Sequence, residues 1–395
     1  MSEENALNVE IYKDQDFYVP AFIIKVENEE LKRVVMNDIL NVTYTDSLTN
    51  VDSFDMTVNN WDAGAKTLDQ SAFKYSDTKT FNPWKDVEVQ MGYYRNGQSE
   101  LRTMLIGEIT TLTPNFPQSG APTLNVRGLN LFHRFRTKQE TKPFFNKKDS
   151  DIAKEVVESI ATEVRKKSPQ LKLKLDENDY ATNIKTEEKI PYLLMNNQFP
   201  IRFLMERASD LGYELTMEEA SQGGNREVTF HYRPTSNVKR KTYILDWGVS
   251  LMSFQPTLQC ANQVAELTVR GWNPQKKKPI KVTVKRSEIK GIVTPSELGV
   301  TEPDLTKKIE IVVDRPIQNE AEAKLLATNR LRKIGEVLVE AKGKTVGVPD
   351  LRAGSKVEIR GLGTRFSGTY LVTGTTHSIG EGGYTTEFTG RMEKL

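Results

Sequence analysis

Two segments of the chain alternate apolar and polar residues in the same order, and each ends in a hairpin pattern. The first segment covers residues 84–128 and the second covers residues 353–390. The alternating apolar positions are Val87, Val89 and Met91 in the first segment and Val357 and Ile359 in the second. A period of two puts one apolar face on each strand, which is typical of a half-buried antiparallel sheet. The repeat therefore predicts two similar β-barrel domains in one chain.

The turns and opening strands of the two segments also correspond. Turns are expected at Ser119-Gly120 in the first copy and at Gly380-Glu381-Gly382-Gly383 in the second. Upstream, residues 51–62 and 262–274 form a second matching pair, in which Trp61-Asp62 is echoed by Trp272-Asn273-Pro274. An aromatic residue followed by a turn-forming Asp or Asn is compatible with a barrel corner. We therefore expect the strands of this second pair to occupy equivalent places in the two barrels.

Between the repeats, residues 130–249 change to a helical period. One predicted helix follows Asp149-Ser150 and ends before Pro169, and a second ends at Gly212, a residue that tolerates the left-handed conformation. Their apolar faces are Ile152, Val156, Ile160, Ala161 and Val164 in the first helix and Ile201, Leu204, Met205, Ala208 and Leu211 in the second. A hairpin of residues 213–217 and 227–232 around Gly223-Gly224-Asn225 completes an α+β insertion.

A second interruption divides the later repeat. It contains a polar stretch at 285–306, a short β run at 309–313 and a helix over 319–334, with Gly335 as its expected cap. The predicted fold class is mainly β with an α+β insertion. The predicted domains are a first β-barrel at 1–129, the inserted α+β domain at 130–249, and a second β-barrel at 250–395 with a helix-containing insertion at about 286–335. We expect the α+β domain to lie at the periphery.

Charge and composition describe an ordinary folded chain. Its 395 residues include 55 Lys and Arg against 53 Asp and Glu, so no overall field favours nucleic acid or an anionic membrane. Met1-Ser2-Glu3-Glu4-Asn5 lacks the basic start of a secretory signal, and no apolar run is long enough to span a bilayer. The single cysteine, Cys260, is expected to pack as a small apolar side chain. We expect synthesis in the bacterial cytoplasm and no stable membrane insertion.

Candidate catalytic chemistry is sparse. His133, His231 and His377 are far apart in the sequence and have no ligand-like neighbours, which argues against a zinc site. We expect His377 to be a strand-edge or turn residue. The chain has no Gly-x-Ser-x-Gly motif, and Cys260 has no basic neighbour to activate it. The sequence therefore predicts no catalytic, cofactor-binding or metal-binding residues and no enzyme.

Other polar clusters are expected to be structural. Gly361-Leu362-Gly363 and the glycines near residue 382 are interpreted as hairpin turns, with no helix behind them to support a phosphate. The acidic pairs are expected on solvated faces, and the short basic clusters are expected in solvated turns. These clusters are Glu187-Glu188, Glu218-Glu219, Lys239-Arg240-Lys241 and Lys276-Lys277-Lys278.

Three segments give the chain a resemblance to the phage late control protein D family, the baseplate hub of contractile tails, which is related to the hub portion of VgrG proteins. They are Leu267–Pro274, Ile201–Tyr213 and Gly368–His377. The resemblance implies a homotrimeric hub whose two barrels per subunit form a pseudo-sixfold ring between a sixfold inner tube and a threefold spike. Related hubs continue into the spike, whereas this sequence stops at Leu395, so we expect a separate trimeric spike protein.

The implied partners are that spike, the inner tube protein and other baseplate proteins, with DNA or an effector passing through the lumen. The implied location is a phage tail or a contractile injection particle, and no cofactor is expected. Two other functions stay open at this point. One is a carbohydrate- or oligonucleotide-binding β-barrel protein, which would need a platform of exposed aromatic side chains. The other is a cell-wall hydrolase, which would need a carboxylate pair in a cleft.

Overall fold

The computed structural model describes residues 8–11, 19–62, 64, 72–95, 98–222, 225–235, 238–273, 276–300, 308–313, 317 and 319–395. The strands are β1 (Asn8–Glu10), β2 (Pro20–Val26), β3 (Glu29–Glu30), β4 (Ile39–Ser47), β5 (Ser53–Asn59), β6 (Asp86–Arg95), β7 (Gln98–Asn115), β8 (Thr123–Asn130), β9 (Glu140–Lys147), β10 (Leu171–Leu175), β11 (Ile190–Gln198), β12 (Tyr213–Gln222), β13 (Asn225–Pro234), β14 (Thr242–Asp246), β15 (Leu251–Leu258), β16 (Glu266–Asn273), β17 (Lys278–Lys285), β18 (Ile309–Val312), β19 (Val339–Val346), β20 (Lys356–Arg360), β21 (Gly368–Gly380) and β22 (Gly383–Lys394). The helices are α1 (Arg33–Asn37), α2 (Asp149–Lys167), α3 (Glu177–Thr186), α4 (Pro200–Leu211), α5 (Glu320–Glu336) and α6 (Gly363–Phe366). The predicted fold class, mainly β with an α+β insertion, is confirmed.

Fourteen of the described strands belong to one large mixed sheet. Its first β unit contains, in spatial order, β2, β6, β7, β8, β5 and β4, all antiparallel to their neighbours. Inward-facing side chains of these strands form one buried core because alternate residues point to the same face. The core includes Ile24, Tyr44, Phe54, Met56, Val89, Met91, Leu105 and Val126.

The second β unit follows the same plan with β14, β20, β21, β22, β19 and β15. The consecutive strands β20, β21 and β22 correspond to β6, β7 and β8, in agreement with the predicted repeat of three-strand meanders. Strand β14 departs from the antiparallel pattern because it pairs with β20, and β1 with β14, in parallel. The second core includes Leu245, Leu251, Val339, Leu351, Val357, Ile359, Tyr370 and Phe388.

Strand β21 joins the two β units directly. Its first part pairs with β20, while residues 374–379 pair with residues 42–47 of β4. Strand β22 pairs along the other edge of β21. One strand therefore carries hydrogen bonds to both units, which fixes their relative positions through backbone contacts.

The prediction that the strands of residues 51–62 and 262–274 occupy equivalent places in the two barrels is wrong. Strand β5 lies in the large sheet, whereas β16, which contains Trp272, lies in a separate sheet with β17 and β18. Leu267 and Val269 on β16 are buried against α5, so an amphipathic helix covers this small sheet. Strand β19, at 339–346, takes the place in the second unit that β5 holds in the first.

This topology also bears on where the domain boundaries would fall. The small α/β unit extends back to Glu266, ahead of the expected start at about 286, because β16 and β17 pair with each other. At the other limit of the inserted domain, β14 at 242–246 pairs with β20 of the second β unit, and β1 pairs with β14. We therefore propose the inserted domain as about 131–239 and the small unit as about 259–338.

The inserted domain has its own core between α2, α4 and the sheet β10-β13-β12. Both helices lie where the apolar period predicts them, and Gly212 adopts the left-handed conformation with φ 72° at the end of α4. The sequence analysis did not predict β9, β10, β11 or α3. Helix α5 runs past its expected cap to Glu336, since Gly335 lies within the helix and does not adopt the left-handed conformation of a cap.

Four parts of the predicted pattern lie outside the described residues. These are Met1–Asn5, Gly223-Gly224, Pro274 and residues 301–306. Among the described helices, none has the length and hydropathy of a membrane span.

Candidate functional site: a charged junction

A polar cavity of about 750 Å³ lies where the two β units and the inserted domain meet. The parts of the described chain that converge on it include the β4–β5 turn, strand β7, the loop before β20, strands β12 and β13, and the segment between β13 and β14. We call this cluster the charged junction. Its ionisable lining residues are Asp46, Asp52, Arg102, Glu214, Glu218, Glu219, His231, Arg233, Lys239, Arg240, Lys241, Asp350 and Arg352.

Arg352 is the central cation of the charged junction. Its Nε lies 2.8 Å from Asp46 Oδ2, and its Nη2 donates to the carbonyl of Met104 at 3.2 Å and to the Tyr44 hydroxyl. Its guanidinium also lies over the Tyr44 ring, 4.5 Å from the centroid. Since Arg352 precedes β20 and its partners lie on β4 and β7, this one side chain bridges the two β units.

Two buried carboxyl groups of the first β unit surround that cation. Asp46 Oδ1 accepts from the Thr375 amide, and Oδ2 accepts from the Ala353 amide, each at 3.0 Å. Asp52 accepts from the Asn130 side-chain amide at 2.8 Å. Burial and the neighbouring Asp46 carboxylate raise the pKa of Asp52 to about 7, against the lowering effect of Arg352.

Glu219 brings the inserted domain into the same cluster. The expectation that Glu218-Glu219 lies on a solvated face is wrong for Glu219, whose side chain is 1% exposed. Alternation along β12 places Glu219 on the same buried face as Leu215 and Met217. Its Oε2 lies 3.9 Å from Arg352 Nη2, and its Oε1 has no hydrogen-bond partner in the described structure. Burial, with Asp52 and Asp46 nearby, raises its pKa despite Arg352.

Arg240 forms a second link between the inserted domain and the second β unit. Its Nη1 donates to the Gly354 carbonyl at 2.5 Å, and its Nη2 pairs with Glu214 of β12. Arg240 is therefore a buried cross-link and not part of a solvated turn, which corrects the sequence expectation for Lys239-Arg240-Lys241. The other basic cluster, at 276–278, is exposed.

Outside the cavity, Glu108 on β7 connects the first β unit to the inserted domain through ion pairs. Its carboxylate contacts His133 Nε2 at 2.8 Å, Lys167 Nζ at 2.5 Å and the Arg134 guanidinium. Burial alone would raise the pKa of Glu108, but hydrogen bonds from these three groups outweigh it and lower the pKa to about 2. Glu108 therefore stays ionised at neutral pH.

The three histidines lie in three separate environments: His133 contacts the single carboxylate of Glu108, whereas His231 lies between two carboxylates. His231 Nδ1 lies 2.7 Å from Asp179 Oδ2, and Nε2 lies 3.4 Å from Glu218. Burial would lower its pKa, but the two carboxylates raise it to about 9. His231 is therefore a cation at neutral pH and forms a charge-assisted contact between α3 and β13.

Among the described residues, one group has ligand atoms close enough to hold a metal ion: Asp176, Asp179 and His231. Its chemistry fits ion pairing better than coordination. Asp176 Oδ1 already accepts from the Asp179 amide at 2.8 Å to cap α3, and Arg233 lies 3.7 Å from Asp179. A protonated imidazole cannot serve as a metal ligand. That the chain has no metal site remains a prediction.

His377 is not at a strand edge or in a turn. It is fully buried on β21, where Nε2 donates to the Leu351 carbonyl at 3.0 Å and Nδ1 lies 3.0 Å from the Tyr384 hydroxyl. Burial lowers its pKa to about 4, so the ring is neutral. His377 therefore holds the loop before β20 against β21.

The structure contradicts one part of the prediction for Gly361-Leu362-Gly363 and agrees with the prediction for Cys260. Gly361-Leu362-Gly363 does precede a helix, since α6 covers 363–366, but one turn is too short to bind a phosphate at its N-terminus. Cys260 is half-buried and packs against the second core, as expected for a small apolar side chain.

With its two β units joined through β21, the chain has an overall fold similar to that of several solved structures. The 43 kDa tail protein of prophage MuSo2 from Shewanella oneidensis has a TM-score of 0.66 at 12% identity, covering 95% of this chain and 98% of that one. A tail protein from Neisseria meningitidis MC58 gives 0.62 at 12% identity over 95% and 97%. The E. coli c3393 protein, a component of the type VI secretion system, gives 0.53 at 13% identity over 93% and 76%. At sequence identities this low, the similarity shows that these proteins and this chain share a fold.

The chain belongs to the Alg8 N-terminal domain family, whose profile matches residues 18–381. No curated protein matches the sequence significantly.

Proposed function

We propose that this chain is the structural hub of a contractile tail or injection device, as the resemblance to late control protein D implies. The observation that carries the proposal is the internal duplication, in which two β units of matching strand order are joined through β21. Three such chains in a ring would present six similar β units to a sixfold tube. The same ring keeps threefold symmetry for a spike.

The fold supports this role. Proteins with a similar overall fold include two tail proteins and a component of the type VI secretion system. Formation of a ring would also cover the unpaired strand edges of the β units, which can otherwise pair with other chains and cause aggregation. In this proposal the partners are a separate trimeric spike, the inner tube protein and other baseplate proteins, and DNA or an effector passes through the lumen.

The charged junction has a mechanical function in such a hub. Arg352 and Arg240 connect the inserted domain to both β units, so the three parts move as one body when the ring assembles. The contacts of Arg352, Arg240 and Glu108 are ion pairs and hydrogen bonds that cross domain boundaries. We therefore propose that they act in positioning the domains and that the chain has no catalysis of its own.

Co-expression tests the proposal. The chain would be produced with the spike and tube proteins encoded beside it, and light scattering would give the mass of the purified complexes. We expect a complex of three hub chains with three spike chains, whose cryo-EM map has pseudo-sixfold symmetry at the tube-facing side. A chain that stays monomeric both alone and with the spike would contradict the hub. Degradation of peptidoglycan by the purified chain would favour the hydrolase alternative.

A further inference from the structure

A groove with an apolar floor lies between the inserted domain and helix α5, apart from the charged junction. Its volume is about 440 Å³. Side chains of α4 and α5 supply the floor, together with residue 317 ahead of α5. The buried floor residues are Phe203, Ile317 and Leu326, and Leu211 is half-buried beside them.

The rim of this groove exposes large apolar side chains to solvent. Tyr192 is 48% exposed, Leu194 37% and Leu325 44%. The surface continues along the β9–β11 ribbon, where the Phe145 ring, 61% exposed, lies 5.4 Å from the Tyr192 ring. Pro143 pairs with Leu194 on the same outer face. We call Pro143, Phe145, Tyr192, Leu194 and Leu325 the apolar rim.

Apolar residues on the inner face of the ribbon pack in the core of the inserted domain, whereas those of the apolar rim make no such contribution to the core. Phe144 and Met195 point inward and are buried in the core of the inserted domain. The opposite face of a two-stranded surface ribbon needs no apolar residues for stability when it faces solvent, as this face does in the part of the chain that the structure describes. A contiguous exposed apolar patch beside a groove is typical of a protein–protein interaction site.

The charge of the groove restricts the chemistry of its partner. Three carboxylates line it, from Glu206, Asp210 and Glu322. Arg207 is the one lining guanidinium, and it is held by Asp149 through bonds of 2.8 and 3.0 Å. Glu206 is likewise paired with Arg202, whose Nε lies 3.0 Å from Glu206 Oε1. Carboxylates still outnumber guanidinium groups among the described lining residues, which favours a segment with an apolar row flanked by Lys or Arg.

We infer that this groove binds a basic amphipathic helix of another protein of the assembled particle. Helices α4 and α5 supply its floor and are held together by Asn329, whose Nδ2 donates to the Asp210 carbonyl at 2.8 Å. Such a groove between two elements accepts apolar side chains spaced at i, i+3, i+4 and i+7. The identity of the partner as a baseplate protein rests on the proposed function, whereas the chemistry of the groove does not.

Two synthetic peptides test the inference by fluorescence anisotropy. Both would have roughly 18 residues, enough for a helix in the bound state, with leucines at helical spacing and either Lys or Glu at the other positions. We expect the Leu/Lys peptide to bind at least about tenfold more tightly than the Leu/Glu peptide. The double variant Tyr192→Ser with Leu325→Ser should weaken Leu/Lys binding by about tenfold or more.

Matched controls make the result specific to the groove. Trp272→Ser removes a similarly exposed aromatic, 56% exposed, on the separate β16 sheet and should leave peptide binding unchanged. Glu206→Gln with Glu322→Gln should weaken Leu/Lys binding several-fold and reduce its dependence on salt. Circular dichroism should show that every variant keeps the fold.

Three outcomes would overturn the inference: equal affinity for the two peptides, equal effects of the rim variant and the Trp272 control, or dissociation of the purified oligomer by the rim variant. The last outcome would mean that a second copy of the chain covers the rim. A monomeric chain that still binds the Leu/Lys peptide through the rim would contradict the proposed hub but retain the groove as a docking site.

Discussion

Arg352 and Asp46 are 306 residues apart in the sequence, yet Nε of Arg352 lies 2.8 Å from Oδ2 of Asp46 at the boundary between the β units. The contact is part of a cluster with an excess of acid, since Asp52 and Glu219 lie near the same guanidinium. A buried ion pair is weak evidence for net stability, but removing one partner leaves the other buried without compensation. The charged junction is therefore sensitive to single substitutions.

Replacement of Arg352 by methionine should lower the free energy of unfolding by about 3–5 kcal/mol at pH 7, because Asp46 and the Met104 carbonyl lose a charged donor. Urea denaturation followed by circular dichroism measures the change. The matched control is Arg360→Met, which removes a surface pair with Glu358 and should cost less than about 1 kcal/mol. Equal effects of the two substitutions would contradict a special role for the charged junction.

Glu108 should make the protein sensitive to acid. Its folded pKa of about 2 lies below the ordinary value of 4.5, so its stabilising effect is present above pH 4.5 and is lost as the pH falls toward 2. The variant Glu108→Gln should be less stable than the parent at pH 7, by on the order of 2 kcal/mol. The difference should shrink between pH 5 and pH 3, as measured by thermal unfolding. A constant difference across that range would show that the carboxylate charge is unimportant.

Histidine-selective NMR should separate His231 from His377. His231 has a pKa raised to about 9, so its stabilising contact is complete below the ordinary value of 6.5 and is lost as the pH rises through 9. His377 should stay neutral until the pH approaches 4. The variants His231→Gln and His377→Gln assign the two signals. Titration of both signals near 6.5 would contradict the buried environments described above.

Sequence pattern alone predicted the large features of this fold. Alternation at Val87 and Val89, and again at Val357 and Ile359, indicated the strands of both β units, because a half-buried strand needs one apolar face. The period of α4 and its terminal Gly212 were equally informative. These signals are local, so they can be read without knowing the partners of a strand or helix.

The errors concern pairing and burial of charge, which depend on distant residues. Strand β16 resembles β5 in sequence, but it pairs with β17 and β18 in a separate sheet, and α5 covers its apolar face. Glu219 is polar, yet it occupies an inward position of β12 because Arg352 lies opposite. A carboxylate in register with Leu215 and Met217 is the one signal that could have indicated a buried charge.

Gly347 should be intolerant of any side chain. A Cβ built there would lie 2.1 Å from Cγ of Tyr384, and the Gly347 carbonyl accepts from the Tyr93 hydroxyl at 2.7 Å. Gly347→Ala should therefore lower the free energy of unfolding by about 1–3 kcal/mol through overpacking. Gly382, in the β21–β22 turn, has open space at the same position, so Gly382→Ala should change it by less than about 0.5 kcal/mol. Equal values from urea denaturation would contradict the close packing.

The inserted domain should be removable without loss of the two β units, because the described cores of those units contain no residue of 131–239. Its attachment combines ionic contacts of Glu108, Arg240 and Arg352 with packing of Ile106 on β7, which is buried in the core of the inserted domain. We expect a variant in which residues 131–239 are replaced by a flexible linker to keep a β-rich circular dichroism spectrum. A Gly/Ser linker of about 20 residues has an end-to-end distance of roughly 25 Å. The deletion stops before Arg240 so that β14 at 242–246 stays paired with β20.

The size of the particle formed by this variant tests whether the β units alone make the ring. We expect the same number of subunits as in the full chain, measured by light scattering, since the strand edges of both units are retained. A matched deletion of 131–246 removes β14 as well, and it should unfold or aggregate because β20 loses its parallel partner. If the 131–239 deletion also lost its β spectrum, the inserted domain would be required to complete a β-unit core. If it folded as a monomer, the inserted domain would itself provide the contacts between subunits.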